Sequence, residues 1–130
     1  SELYVYCIKD MVVGCVSICS LMDDVYSKVS WKTDGKNSIY IHRLAVDPDH
    51  QKQGIGGKLM DFAESKSKSG GIDSIRLDTF SQNTVNQNFY EARGYIKLDD
   101  IYFPLQSEYP FHCYELLFWK IILAFLTFKN

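Results

Sequence analysis

Ile39-Tyr40-Ile41-His42-Arg43-Leu44-Ala45-Val46-Asp47-Pro48-Asp49-His50-Gln51-Lys52-Gln53-Gly54-Ile55-Gly56-Gly57-Lys58 reads as a strand, a loop and the start of a helix. Ile39, Ile41 and Leu44 to Val46 make a mostly apolar, partly β-branched run, and Asp47-Pro48-Asp49 stops it. Gly54, Gly56 and Gly57 then open an amphipathic segment. Glycine lacks a Cβ, so the backbone there can approach a ligand closely. The unpaired amides of a helix N-terminus, with the positive end of its dipole, favour an anion such as a pyrophosphate. A phosphate-bearing cofactor is the first expectation.

Spacing separates the phosphate loops that could own this stretch. A Walker loop needs glycine where Lys52 stands and a hydroxyl residue where Leu59 stands. The dinucleotide fingerprint accepts Gly54 and Gly56 as its first two glycines but fails at Leu59, the third. What remains is Gln51-Lys52-Gln53-Gly54-Ile55-Gly56, with Val46 five residues before Gln51. A second segment lies downstream, Asn83-Thr84-Val85-Asn86-Gln87-Asn88-Phe89-Tyr90-Glu91-Ala92-Arg93-Gly94-Tyr95.

Together these resemble the GNAT superfamily of N-acetyltransferases. The first is similar to its Gln/Arg-x-x-Gly-x-Gly/Ala signature. The second is similar to its Asn-x-x-Ala-x-x-Phe/Leu-Tyr-Glu-x-x-Gly-Phe/Tyr segment, matched at Asn83, Tyr90, Glu91 and Gly94, with Asn86 where a small residue is usual. The resemblance covers about Leu3 to Phe118. It implies a mixed α/β (α+β) fold, with a mostly antiparallel sheet, a central parallel βαβ pair and flanking helices. The family's first strand and two helices, which usually form one wall of the acceptor pocket, are expected to be missing.

Taken in order, Leu3–Ile8 and Met11–Ser20 read as a hairpin turned at Lys9-Asp10. Gly14 inside the second strand signals a bulge or a close packing contact. Leu21–Ser30 reads as a continuation of that strand, and Lys32–Ser38 as a polar loop into the strand Ile39–Val46. From Gly54, Ile55, Leu59, Phe62 and Ala63 fall at helical spacing, with Lys58, Asp61, Glu64, Ser65 and Lys68 turned away, as far as Ser69-Gly70-Gly71. Ile72–Phe80 alternates Ile75, Leu77 and Thr79 against Asp73, Ser74, Arg76 and Asp78, a strand parallel to Ile39–Val46. A helix over Thr84–Ala92 ends at Gly94, and Tyr95–Lys97 and Tyr109–Phe118 close the sheet.

The 130 residues bound one domain, 1–130, with a single core. A net charge of -2 with dispersed Lys and Arg excludes a nucleic-acid footprint, and the aromatic content argues against disorder. Cys7, Cys15, Cys19 and Cys113 form no Cys-x-x-Cys pair and read as reduced residues. No Cys or His stands at ligand spacing from His42, His50 or His112, so no metal is expected. Ser1–Ile8 has no basic n-region, which points to a cytoplasmic chain without a signal peptide. The apolar run Leu116–Phe128, with its tail at 119–130, is shorter than the roughly 20 residues of a span. A subunit contact, as in a homodimer, or packing on the sheet is preferred for it over membrane association.

The resemblance also implies roles. Acetyl-CoA would be the cosubstrate, with a primary amine of a small molecule or peptide as acceptor. Leu44, Ala45 and Val46 would offer backbone groups to the pantetheine arm, with the Val46 N–H polarising the thioester carbonyl. Gln51, Lys52, Gln53, Gly54, Ile55, Gly56 and Gly57 would hold the pyrophosphate. Lys58 would either assist them or stand as a solvated helix residue. Tyr90 matches the family's general acid, and is otherwise a core aromatic with a satisfied hydroxyl. Asn83 matches a residue on the cofactor arm and is equally a plain N-cap. By two-residue alternation His42 shares a strand face with Tyr40 and Val46. His42 is the candidate base, with a structural histidine as its alternative; Asp78 is another candidate, with a surface or loop-anchoring role preferred for it. An acetyl-CoA-binding domain without catalysis is the competing reading of the whole.

Overall fold

The computed structural model describes residues 1–118. The apolar run from residue 119 onward, read above as a subunit contact or sheet packing, lies outside them. The elements are β1 (Glu2–Ile8), β2 (Met11–Cys19), β3 (Ser38–Val46), α1 (Ile55–Ser69), β4 (Ser74–Phe80), α2 (Thr84–Ala92), β5 (Ile96–Ile101) and β6 (Phe111–Leu117). They form one six-stranded sheet in the order β1-β2-β3-β4-β6-β5. Only β3 and β4 run parallel, joined through α1, so the sheet is mixed and mostly antiparallel around a central parallel pair.

Local chemistry explains most boundaries. Lys9 and Asp10 both have positive φ, 49° and 68°, the twist a two-residue hairpin requires. Gly54 enters α1 in the left-handed region, φ 79°, and Gly70 closes it. Both readings of Gly14 hold. The β1/β2 register slips beside it, between Tyr6 and Cys7, and a Cβ on it would stand 2.9 Å from Ile55 Cγ2 and 3.0 Å from Leu59 Cδ1.

Both helices cover one face of the sheet. Ile55, Leu59, Met60 and Ala63 of α1 and Tyr90 of α2 share a core with Val16, Ile18, Ile39, Ile41, Ile75 and Leu77. Phe62, expected inside, is 45% exposed and leans on Tyr4 with ring centroids 4.8 Å apart. Glu64 does not turn to solvent as expected. It accepts from Arg93 Nε at 3.0 Å and from the Tyr95 hydroxyl at 2.9 Å, clasping α1 to the end of α2.

The opposite face holds a second core of Tyr26, Val29, Tyr40, Ile101 and Cys113. Here the strand expected over Leu21–Ser30 gives way to a 3₁₀ turn at Asp24–Lys28. The Asp23 side chain accepts the Val25 N–H at 3.3 Å, and this local competition for the backbone ends strand pairing. The folded-back segment explains why β4 is not polar on one side. Ser74 and Arg76, expected outside, are buried under it. Arg76, 2% exposed, meets Glu115, fully buried, with Nε 3.1 Å from Oε2. Glu115 also accepts from the Lys32 N–H at 2.6 Å and from the Thr33 and Ser74 hydroxyls at 2.6 and 2.7 Å.

Two irregularities shape the centre of the sheet. Arg43 opposes Ser17 while Ile41 opposes Ile18, which leaves His42 as the extra residue of a bulge. The bulge inverts the alternation beyond it. Leu44 and Val46 therefore pack on the helix-side core with Ile39 and Ile41, while Tyr40 belongs to the other core. The expected shared face of Tyr40 and Val46 is thus corrected. Beyond Tyr40 and Arg76, β3 and β4 also stop pairing, although β3 continues beside β2 to Val46 and β4 beside β6 to Phe80. The two central strands splay apart.

Candidate active site

The splay creates two adjoining cavities. The larger, about 810 Å³, lies between the ends of β3 and α2 and the start of α1. Leu44, Ala45, Val46, Gln51, Lys52, Gly54, Ile55, Gly56, Gly57 and Asn83 line it, joined by His50, Val85, Asn86 and Phe89. Its chemistry suits a phosphate-bearing arm. No side chain caps α1, and the bond from the Lys58 N–H to the Gly54 carbonyl, 3.0 Å, is where helical bonding starts. The preceding amides are the unpaired donors that every helix N-terminus offers to an anion. A Cβ on Gly56 would project between Val46 Cγ2 and Phe89 Cζ, 3.9 Å from each, into the passage itself.

Two residues of the expected phosphate loop do not join the cavity. Gln53 is absent from its lining. Lys58 reaches back over β1, with Nζ 3.2 Å from the Tyr6 hydroxyl and 5.5 Å from the Tyr6 ring centre. The loop is instead braced by His50, whose Nδ1 lies 2.7 Å from Asp47 Oδ2, and by Gln51, whose Nε2 donates to the Val46 carbonyl at 3.4 Å.

The smaller cavity, about 270 Å³, passes through the splay and brings together His42 from β3, Asp78 from β4 and Tyr90 from α2. Leu44, Asn83 and Asn86 line both cavities, so the two adjoin. Asn83 does act as the N-cap, its side-chain oxygen accepting the Asn86 N–H at 3.0 Å, and stands at the junction as well.

Tyr90 combines features of its two readings. Its ring is buried against Phe89, Tyr95 and Tyr114. Yet its hydroxyl has no hydrogen-bond partner among the described residues, whereas those of Tyr26, Tyr95 and Tyr114 each donate to a carboxylate. No fully buried side-chain polar atom there lacks a partner, so the Tyr90 oxygen is open to the cavity. Burial, with the Asp78 charge adding to it, pushes the phenol up to about 12. It stays protonated throughout the neutral range.

Asp78 sits across the passage on the other face of the sheet. Burial raises its carboxyl above the ordinary range; a hydrogen bond donated by the Tyr26 hydroxyl and the nearby His42 oppose that rise. His42 itself is exposed, held out by the bulge. Tyr26, Phe89 and Phe111 were missed by sequence reasoning. Phe89 carried a signal, since it precedes Tyr90 in the second motif; Tyr26, 52 residues from Asp78, carried none.

The model of the acetyltransferase (GNAT) family matches residues 1–95, well over half of the chain. This chain belongs to the GNAT family. Among its relatives, the uncharacterized N-acetyltransferase YesJ of Bacillus subtilis is 31% identical over 88 residues, 67% of this chain and 49% of that protein. N-alpha-acetyltransferase 30 of Saccharomyces cerevisiae is 36% identical over 59 residues, 45% of this chain and 34% of that protein. The GNAT chain described here thus spans about half the length, or less, of these curated relatives. The crystal structure of the NatC complex bound to Gag peptide and CoA superposes with a TM-score of 0.69 at 23% identity, over 88% of this chain and 70% of that one. The shared fold thus takes in most of this chain but only 70% of that structure.

Among the described residues no group of three His, Cys, Asp or Glu side chains could hold a metal ion. No helix among them is long and apolar enough to cross a membrane.

Proposed function

We propose that this chain transfers an acetyl group from acetyl-CoA directly to a primary amine, the N-terminal amine of a peptide. The observation that carries this reading is the passage through the sheet. A cleft at the start of α1 on the helix face adjoins a smaller cavity in the splay that Asp78 and Tyr90 both line. Two substrates can therefore approach one point from opposite sides, as direct transfer requires. The peptide acceptor is supported by the relatives, which include N-alpha-acetyltransferase 30 and the NatC complex with its bound peptide.

Acetyl-CoA, when bound, supplies an activated acetyl thioester. The amides at the start of α1 would hold its pyrophosphate, and the β3 end at Leu44–Val46, unpaired on its β4 side, would hold the pantetheine arm. Asp78 attracts the acceptor ammonium and takes one proton from it, leaving a neutral amine. The amine nitrogen bonds to the acetyl carbon as the carbon–sulfur bond breaks, and the Tyr90 hydroxyl gives its proton to the departing sulfur. His42, at the exposed mouth, passes the proton from Asp78 to solvent. The ammonium gives up two protons in all: the first leaves through Asp78 and His42 to solvent, and the second, shed by the nitrogen once it has bonded to the acetyl carbon, replaces the one Tyr90 gave to sulfur, so the exchange balances.

The test is calorimetry with acetyl-CoA, followed by free-thiol release against peptides with free N-termini, polyamines and amino sugars. Thiol release with peptides, abolished by Tyr90→Phe, supports the proposal. Binding with no release from any amine would replace it with a non-catalytic acetyl-CoA-binding domain, and no binding would defeat both.

A further inference from the structure

The segment after β2 lies outside the sheet, yet it carries one of the most buried side chains described. Tyr26, 1% exposed, sits in the 3₁₀ turn at Asp24–Lys28. Its carbonyl accepts the Val29 N–H at 3.2 Å and the Trp31 indole N–H at 3.0 Å. Its ring packs on Trp31 and Tyr40, with centroids 5.2 and 5.8 Å apart. Trp31 in turn lies under the Arg76 guanidinium, 4.6 Å from its ring centre, and Arg76 is pinned by Glu115. A buried ion pair and three aromatic rings packed at tilted angles thus fix the position of one phenol.

A phenylalanine would fill that volume as well and bury no hydroxyl. The hydroxyl has a single recorded partner, Asp78 Oδ2. Asp78 Oδ1 accepts no hydrogen bond from the described residues, and Asp78 lines the cavity shared with His42 and Tyr90. A carboxylate with one oxygen tied to a rigid support and the other facing a cavity has one usable orientation.

We infer that Tyr26 is a positioning residue, which holds Asp78 Oδ2 against the second core so that Oδ1 is presented to the acceptor amine. This rests on the proposed role of Asp78 as proton acceptor. The groups facing Asp78 come from every neighbouring element: Tyr26 and Asp23 from the turn, His42 from β3, Tyr90 from α2, and Cys113, its register partner on β6. Of these, the Tyr26 hydroxyl and His42 favour the charged carboxylate, while burial and Asp23 disfavour it. Removing the hydroxyl removes one of the two supports and frees the carboxylate to rotate.

The experiment compares native protein, Tyr26→Phe, Asp78→Asn and a protein carrying 3-fluorotyrosine at position 26, whose more acidic phenol donates more strongly without changing the packing. Two readouts are taken. One is the acid limb of kcat/KM against pH with a turned-over peptide; the other is the Asp78 carboxyl titration followed by carbon-13 NMR, which needs no turnover. Tyr26→Phe is expected to move both upward by about one pH unit or more, the scale of a hydrogen bond to a charged group, so that kcat/KM on the acid limb falls about tenfold. The fluorinated protein should move both downward, and it keeps the test decisive if Tyr26→Phe does not fold. An unmoved Asp78 titration in either variant overturns the positioning role. Full turnover by Asp78→Asn would instead overturn the reading of the acceptor site, and loss of turnover in Asp78→Asn with a native profile in Tyr26→Phe would overturn the positioning role alone.

Discussion

Replacing Glu115 by glutamine tests how firmly the segment over the second core is held. The carboxylate accepts four hydrogen bonds, from the Lys32 N–H at its Oε1 and from Thr33, Ser74 and Arg76 Nε at its Oε2. The two hydroxyls can turn and accept, but the Lys32 N–H and the Arg76 Nε–H can only donate. A glutamine amide has one accepting oxygen, so in either orientation its NH₂ faces one of these donors, and an unsatisfied buried donor costs about 1–3 kcal/mol. Arg76 also keeps its charge at 2% exposure with no counter-charge beside it. Breaking a buried pair in this way costs about 3–5 kcal/mol, out of a typical total of roughly 5–15 kcal/mol. Glu115→Gln should therefore lose about 3–5 kcal/mol in urea unfolding followed by tryptophan fluorescence, to which the Trp31 indole beside Arg76 contributes. Arg76→Met combined with Glu115→Leu strands no charge and should lose less than the single substitution. A loss below about 1 kcal/mol in Glu115→Gln, or a double variant clearly worse than the single one, would refute this account of the network.

Four further outcomes follow from the same contacts. Gly14→Ala places a Cβ 2.9 Å from Ile55 Cγ2, so about 1–3 kcal/mol of stability should be lost in thermal melts, with weaker acetyl-CoA binding as the start of α1 shifts. Gly56→Val should lower acetyl-CoA affinity at least tenfold by calorimetry at nearly native stability, because its side chain enters the space between Val46 and Phe89; unchanged affinity would place the cofactor arm elsewhere. Tyr90→Phe should reduce kcat by roughly 10²–10⁴ with little change in acetyl-CoA affinity, and a kcat within threefold of native would remove Tyr90 as the acid. Asp78 gives a pH signature. Its carboxyl is raised above 3.8 in the fold, so its contribution to stability is full below the unfolded value and is lost as pH rises through the folded one. Asp78→Asn should therefore be at least as stable as native protein at pH 7, with the advantage gone by about pH 4; melts showing a larger deficit at pH 7 than at pH 4 would contradict this.

Much of the proposed cofactor side of the site was legible because it is local in sequence. Leu44–Val46, the glycines at 54, 56 and 57, and the Asn83 cap are each placed by the dihedrals and unpaired amides of a few neighbouring residues. The proposed acceptor side was legible only in part. His42 was singled out, but the face it shares could not be read by counting in twos, because the bulge that carries it depends on pairing with Ser17 and Ile18. Lys58 was offered to the phosphate on proximity in sequence, and the nearer attraction is the Tyr6 ring and hydroxyl on a strand 52 residues away. The expected strand over Leu21–Ser30 failed where an Asp23 cap competes with strand pairing and Tyr26 finds a buried place on another face.

By itself the sequence determined the family, the order of strands and helices, the parallel βαβ centre and the glycine-opened helix, since periodicity, turn chemistry and short motifs act within a few residues of one another. Tertiary structure alone decided that the Tyr90 hydroxyl stays open, that Asp78 shares its cavity, that Tyr26 holds Asp78, and that Arg76 and Glu115 lie buried together. Each of these depends on residues 12 to 52 positions apart, brought together only when the central strands splay and the chain folds over the second face. Burial then sets the protonation of these groups, and burial is a property of the packed molecule rather than of any segment of it.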